Sequence, residues 1–257
     1  VFYYAKGIGA YRATINDSSN SNYILDKNNQ ILYYVENGDV QSNSQVSVKE
    51  GTGSLGAYIS NTGNNMSLSG LTLNIEENQK GRYVQSDVKA NSVTDLDVLI
   101  NLTGSNGIGI LQKEGIVNSL SSMQVTGNGA VGAVISDNDG TQTGEFLNRG
   151  NIEIFGDNSV GIYGTTKNEF MALTNGRLEL LNDAGAVIKI ADKNNPANGI
   201  IGIYGDGDTL IKQAGNIEVG KNGIGVYAED NTAGIDSTGN LKISANGIGY
   251  YLEPSSM

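Results

Sequence analysis

Two neighbouring stretches decide the fold: Asn216-Ile217-Glu218-Val219, and shortly after it Asn222-Gly223-Ile224-Gly225-Val226-Tyr227-Ala228. The first alternates aliphatic and polar residues, which places one face in a core and the other in water. The second opens on an Asn-Gly turn and continues as aliphatic, glycine, aliphatic, tyrosine. By simple alternation Ile224, Val226 and Ala228 should point inward, with Gly225 and Tyr227 facing out. The pair then returns: Asn240-Leu241-Lys242-Ile243 precedes Gly247-Ile248-Gly249-Tyr250-Tyr251, and Asn151-Ile152-Glu153-Ile154 precedes Ser159-Val160-Gly161-Ile162-Tyr163.

Further copies read Gly7-Ile8-Gly9-Ala10-Tyr11, Ser54-Leu55-Gly56-Ala57-Tyr58 and Ile200-Ile201-Gly202-Ile203-Tyr204, with looser ones at 31–35, 107–111, 130–134 and 184–188. The central glycines recur about every two dozen residues: Gly109, Gly132, Gly161, Gly185, Gly202, Gly225 and Gly249. Internal repetition at such a period is the signature of a solenoid. Short strands with Asn and Gly corners at constant spacing stack on near-copies of themselves about 4.8 Å away. Asn and Gly supply the left-handed backbone that tight corners need. No window shows a helical period. The expectation is an all-β, right-handed parallel β-helix of about ten to eleven coils, one continuous segment over 1–257 whose first hundred residues are less regular. Val1 sits in a strand-like stretch and a repeat closes the chain, so it reads as a fragment of a longer rod, roughly 50 Å long at 4.8 Å per coil.

Composition narrows the chemistry. The 257 residues include 36 Gly, two Pro and no Cys, His or Trp, and the formal charge is −11. Without His or Cys, neither a Ser-His-Asp triad nor a Cys-His pair can form, and no histidine-based metal site exists. Dispersed negative charge argues against a nucleic-acid partner, which needs clustered Lys and Arg. No run of 18 apolar residues is present, so no helical membrane span is expected. Gly127-Asn128-Gly129-Ala130-Val131-Gly132 matches the dinucleotide fingerprint literally, but a strand-forming repeat follows it where that motif requires a helix.

Paired carboxylates remain to be weighed, because parallel β-helices host polysaccharide lyases and hydrolases that use them. Asp137 with Asp139, and Asp206 with Asp208, are the candidates. Gly205-Asp206-Gly207-Asp208 is one residue short of a calcium roll, and Asp137-Asn138-Asp139-Gly140 lacks the distant glutamate of an EF-hand. Solvated loops account for both, and no metal or cofactor is expected. The repeated tyrosine tells more. Tyr11, Tyr58, Tyr163, Tyr204, Tyr227 and Tyr251 share one register, so they should form a stripe along the rod. Tyrosine offers large amphipathic contact area at low entropic cost. Tyr163, Tyr204, Tyr227 and Tyr251, with Asp137 and Asp139, are therefore the candidate partner-binding residues. The alternative for the stripe is that neighbouring rings stack on one another and shield the backbone. The polar insertions at 16–29, 74–94, 136–146 and 189–198 are candidate recognition loops.

The copies around Val160–Gly164 and Asn222–Ala228, each preceded by Gly-Asn-Ile-Glu, resemble the passenger repeats of the very large fusobacterial type V autotransporter adhesins, the RadD-like group. The resemblance is close from about Leu102 onward and looser before it. It implies a cell-surface adhesin or stalk, secreted or anchored to the outer membrane of a Gram-negative bacterium through a β-barrel translocator beyond this chain. It implies attachment to a host or bacterial surface protein or glycan; the chain itself is expected to have no enzymatic activity and to be a monomer. A carbohydrate-active β-helix enzyme is the competing reading.

Overall fold

The computed structural model describes residues 2–9, 11–49, 53–61, 65–76, 82–88, 93–113, 115–136, 143–166, 177–230 and 234–253. They form a parallel β-solenoid, and every strand-to-strand pairing is parallel; the lone antiparallel contact is the bridge between Ile8 and Tyr11. One sheet stacks ten strands: Tyr3–Lys6, Ile31–Glu36, Leu55–Asn61, Arg82–Val88, Ile108–Lys113, Val131–Ser136, Val160–Thr165, Ile201–Asp206, Ile224–Glu229 and Ile248–Glu253.

A second sheet of sixteen strands has two runs. One includes Ile116–Ser119, Thr143–Asn148, Arg177–Asn182 and Thr209–Gln213. The other includes Ser122–Val125, Asn151–Ile154, Val187–Ile190 and Asn216–Val219. The ten-residue strands Met66–Ile75 and Val93–Leu102 belong to both runs, with a register shift between Asp97 and Leu99. A coil therefore has three strands and three faces. Nine such coils are followed by the first strand of a tenth.

The alternation in the sequence becomes the core. Ile152, Ile188 and Ile217 form one inward column, and Ile154, Ile190 and Val219 the next, all at most 3% exposed. Across the bore, Ile110, Ala133, Ile162, Ile203 and Val226 stack at 0%. Burying each Ile or Val contributes roughly 1.5–3 kcal/mol. Between the faces the chain turns through left-handed asparagines: Asn106, Asn158, Asn222 and Asn246 have φ between 55° and 60°. Asn tolerates this region better than other side chains.

Several expectations need correction. The repeat glycines do not face out. Gly161 and Gly225 are buried, and simple alternation slips at each one, so that Val160 is half-buried, Gly161 and Ile162 are buried and Tyr163 is half-buried again. A Cβ on Gly132 or Gly161 would lie 2.6 Å from the carbonyl oxygen of the matching glycine one coil on, Gly161 or Gly202. These glycines form an internal ladder where coils approach closely.

Gly185 has no place in that ladder. Val160 pairs with Ile201 and Ile162 with Ile203, so the coil from Gly161 to Gly202 spans 41 residues (202 − 161) and passes Gly185 on the way. This long coil lowers the count below ten complete turns. The 7–11 copy is likewise not the first strand, which is Tyr3–Lys6. The expected 74–94 insertion contains the strand Arg82–Val88.

Candidate functional site

The tyrosines share one column, as the register predicted, but Tyr11 is absent from it and Tyr4 and Tyr34 are added. Following the Cα pairing coil by coil gives Tyr4, Tyr34, Tyr58, Gln85, Leu111, Val134, Tyr163, Tyr204, Tyr227 and Tyr251. Tyr11 stands outside it, 83% exposed on the turn after the first strand, and Tyr4 takes its place. Two aromatic ladders thus flank three non-aromatic rungs. Ring centroids in the lower ladder are 5.4 Å apart for Tyr4–Tyr34 and 4.9 Å for Tyr34–Tyr58. In the upper ladder they are 4.9 Å for Tyr163–Tyr204, 4.8 Å for Tyr204–Tyr227 and 5.2 Å for Tyr227–Tyr251. These spacings suit offset or edge contacts between rings, worth about 0.5–1.5 kcal/mol a pair beyond burial.

Two residues beyond each tyrosine runs a second outer column: Lys6, Glu36, Ser60, then later Thr165, Asp206, Glu229 and Glu253. The columns are joined diagonally. Tyr204 donates its hydroxyl to Glu229 and Tyr227 donates to Glu253, each one coil ahead. Tyr4 does the same to Glu36 at 3.3 Å. The consequence is visible in the phenols. Burial, then the hydrogen bond to Glu229, pushes Tyr204 well above the usual tyrosine range. At Tyr227 the bond to Glu253 comes first and burial second, in the same direction. Lys6 sits 2.5 Å from Glu36 and holds its carboxyl below the usual range. Rings stacked along the axis present edges and hydroxyls to solvent, and several hydroxyls are already committed to carboxylates.

Asp137 and Asp139 lie outside the described residues. Asp206 is 2% exposed, 3.4 Å from the Thr165 hydroxyl, at the inner side of the acidic column. Asp208 follows the left-handed Gly207, and its N–H donates to Thr166 Oγ1 at 2.8 Å. The two carboxylates belong to a tight corner. Among the described residues no three acidic side chains are grouped to hold a metal ion. No helix of the described residues is long and apolar enough to cross a membrane, which says nothing of a β-barrel.

Two polar clusters were not anticipated. Asp17, 6% exposed, accepts from Tyr33 at 2.5 Å, Ser19 Oγ at 2.6 Å, and Tyr23 and Ser44 at 3.1 Å. Burial alone would raise its pKa, but the hydroxyls of Ser19, Tyr33 and Tyr23 together with the Ser19 N–H bring it down to about 2. Tyr3 joins through a 2.7 Å contact with Tyr23, and that bond, with burial, pushes its phenol up to about 12. The second cluster is an inward column that changes character along the rod. Leu68 and Leu96 give way to Ser119, Asn148, Asn182, Gln213 and Ser237. Asn148 Nδ2 donates to Asn182 Oδ1 at 2.9 Å, and the Ser237 hydroxyl donates to Gln213 Oε1 at 2.9 Å.

Of the candidate loops, 189–198 is the one seen in most detail. Lys193 reaches back to Asp157 at 2.8 Å, Asn222 Nδ2 donates to the Lys193 carbonyl at 2.7 Å, and Asn195 caps the short 3-10 turn Pro196–Asn198. Lys189 and Ile190 belong to the strand Val187–Ile190, so the connection proper is 191–198, tied down by these contacts at the corner between two faces. No family model, curated protein or solved structure matches the chain.

Proposed function

We propose that this chain is a rod-forming segment of an adhesive surface protein of the autotransporter passenger type, holding binding elements away from a bacterial cell. The observation that carries the reading is the unbroken column register through ten stacked strands. Such a body lengthens by adding coils, each stabilised by its neighbours, without metal or disulfide. The net charge of −11 keeps it soluble and disfavours nonspecific attachment to acidic surfaces. Recognition would fall to ordered connections such as 191–198 and to the edges of the tyrosine ladder.

The test is binding of the purified chain to host and bacterial cells, beside a glycan array and a polysaccharide-degradation assay. The reading expects saturable binding without product. Product formation abolished by changing Asp206 and Asp208, or Asp137 and Asp139, would overturn it in favour of a carbohydrate-active enzyme. Replacement of 192–198 by a short Gly-Ser linker that leaves binding intact would move recognition off that connection.

A further inference from the structure

A one-electron oxidant finds few outlets in this chain other than its tyrosines. The sequence has 13 Tyr and no Trp, Cys or His. Of its four Met, Met66 and Met123 are each only 1% exposed, and the other two lie outside the described residues. Along the upper ladder Tyr163, Tyr204 and Tyr227 occupy three consecutive rungs and are half-buried. The rings of Tyr163 and Tyr204 are 4.9 Å apart at an interplanar angle of 42°, and those of Tyr204 and Tyr227 are 4.8 Å apart at 64°. Such rings are turned edge toward face instead of lying flat on each other. Two phenols joined by one carbon–carbon bond are likewise close and twisted out of a common plane. Tyr34 and Tyr58, also 4.9 Å apart, are instead nearly parallel at 26°.

The hydroxyls are equally prepared. Oxidising a phenol to its neutral radical removes an electron and a proton, and a positioned carboxylate takes the proton. Tyr204 donates to Glu229 and Tyr227 to Glu253. We propose that Tyr204 and Tyr227 are a site of oxidative cross-linking, coupled to each other as dityrosine when a haem peroxidase consumes hydrogen peroxide beside the rod. Each phenol gives one electron to the oxidant and its proton to its carboxylate. The two radicals join through ring carbons ortho to oxygen, and the hydrogens on those carbons move to the two oxygens as the rings regain aromaticity. The two electrons and two protons released by the pair reduce one hydrogen peroxide to two waters. The product is a covalent staple between adjacent coils, 23 positions apart in sequence (227 − 204), in a chain without disulfides. Closing that loop constrains the unfolded chain as a disulfide does. None of this depends on the adhesive reading.

The experiment treats the dilute, purified chain with hydrogen peroxide and a haem peroxidase, then examines the monomer fraction by dityrosine fluorescence and peptide mapping. The proposal expects an intramolecular Tyr204–Tyr227 link, lighter by two hydrogens, in severalfold excess over Tyr34–Tyr58, and a raised Tm in the linked species. Tyr204→Phe should abolish that link with far-UV circular dichroism unchanged. Glu229→Gln should slow its formation severalfold, again with unchanged circular dichroism. Tyr11, 83% exposed and outside the column, is the internal control for exposure alone. Absence of dityrosine from the monomer would overturn the proposal. So would links that favour Tyr34–Tyr58, links that engage Tyr11 as often as Tyr204, or the same link pattern in the urea-unfolded chain.

Discussion

Gly161→Ala and Gly185→Ala make the same chemical change at two positions that look alike in the sequence and differ completely in the solenoid. At Gly161 an added Cβ would lie 2.6 Å from the Gly202 carbonyl oxygen and 2.8 Å from Ile154 Cδ1. Ile154 can rotate away, but the oxygen belongs to the backbone of the next coil. Ordinary contact begins near 3.4 Å, so about 0.8 Å must be opened (3.4 − 2.6) between two hydrogen-bonded strands. Overpacking of this kind costs typically 1–3 kcal/mol, and each kcal/mol lowers Tm by about 2–4 °C for a chain of this size. At Gly185 the new methyl meets nothing within 4 Å, and φ is not left-handed. There the substitution should be neutral or stabilise by up to about 1 kcal/mol through the unfolded chain. Thermal and urea unfolding followed by circular dichroism would compare the two. Equal effects, or a neutral Gly161→Ala, would refute the glycine ladder and the 41-residue coil together.

Four more expectations follow from the polar contacts. Tyr204→Phe keeps the ring stack but loses the bond to Glu229, and should cost about 1–2 kcal/mol in the same unfolding assays. Because the folded phenols of Tyr3, Tyr204 and Tyr227 are raised, their contribution is complete below about pH 10 and is lost as pH rises beyond it, for Tyr3 through about 12. Spectrophotometric titration should therefore show late-ionising tyrosines that become ordinary on unfolding. The depressed Asp17 works in the opposite direction: its contribution is present above its ordinary 3.8 and disappears as pH falls through about 2. Asp17→Asn should be less stable at pH 7 by about 1.5–3 kcal/mol, with the difference narrowing in urea titrations between pH 4 and 2. Asn148→Ala and Asn182→Ala should each destabilise by about 1–3 kcal/mol, yet the double variant should cost less than their sum, since either change breaks their shared bond; strict additivity would contradict the ladder.

The solenoid was legible because stacking forces every coil to repeat the same inward pattern, and Ile217/Val219 against Glu218 shows that pattern in four residues. The tyrosine column was legible for the same reason: equal register means equal position on the coil. The failures are equally physical. Glycine lacks the side chain whose burial marks a face, so alternation alone misplaced Gly225 outside and accepted Gly185 as a rung. Arg82–Val88 escaped because it carries no Gly-x-Tyr signature and is recognisable only from its neighbours. A third strand per coil is hidden where its inward column turns polar: Ser119, Asn148 and Asn182 break the aliphatic–polar alternation that marks a strand, and only their pairing across coils reveals it. Asp17 depends on Tyr33 and Ser44, 16 and 27 positions away, a convergence that no local pattern reveals. The candidate site shares this limit, since the register aligned the tyrosines but the carboxylates that engage their hydroxyls come from the following coil.

The register itself is the central claim, and the absence of cysteine allows it to be measured directly. Two double variants should be compared, Tyr163→Cys with Tyr204→Cys and Tyr163→Cys with Val187→Cys, using a short thiol–thiol crosslinker and mass spectrometry. The solenoid pairs Tyr163 with Tyr204 and places Val187 on another face, between Asn151 and Asn216. It predicts rapid intramolecular crosslinking of the first pair, 41 residues apart (204 − 163), and little of the second. Crosslinking of Tyr163→Cys to Val187→Cys in preference would contradict the coil assignment and the continuous column built on it.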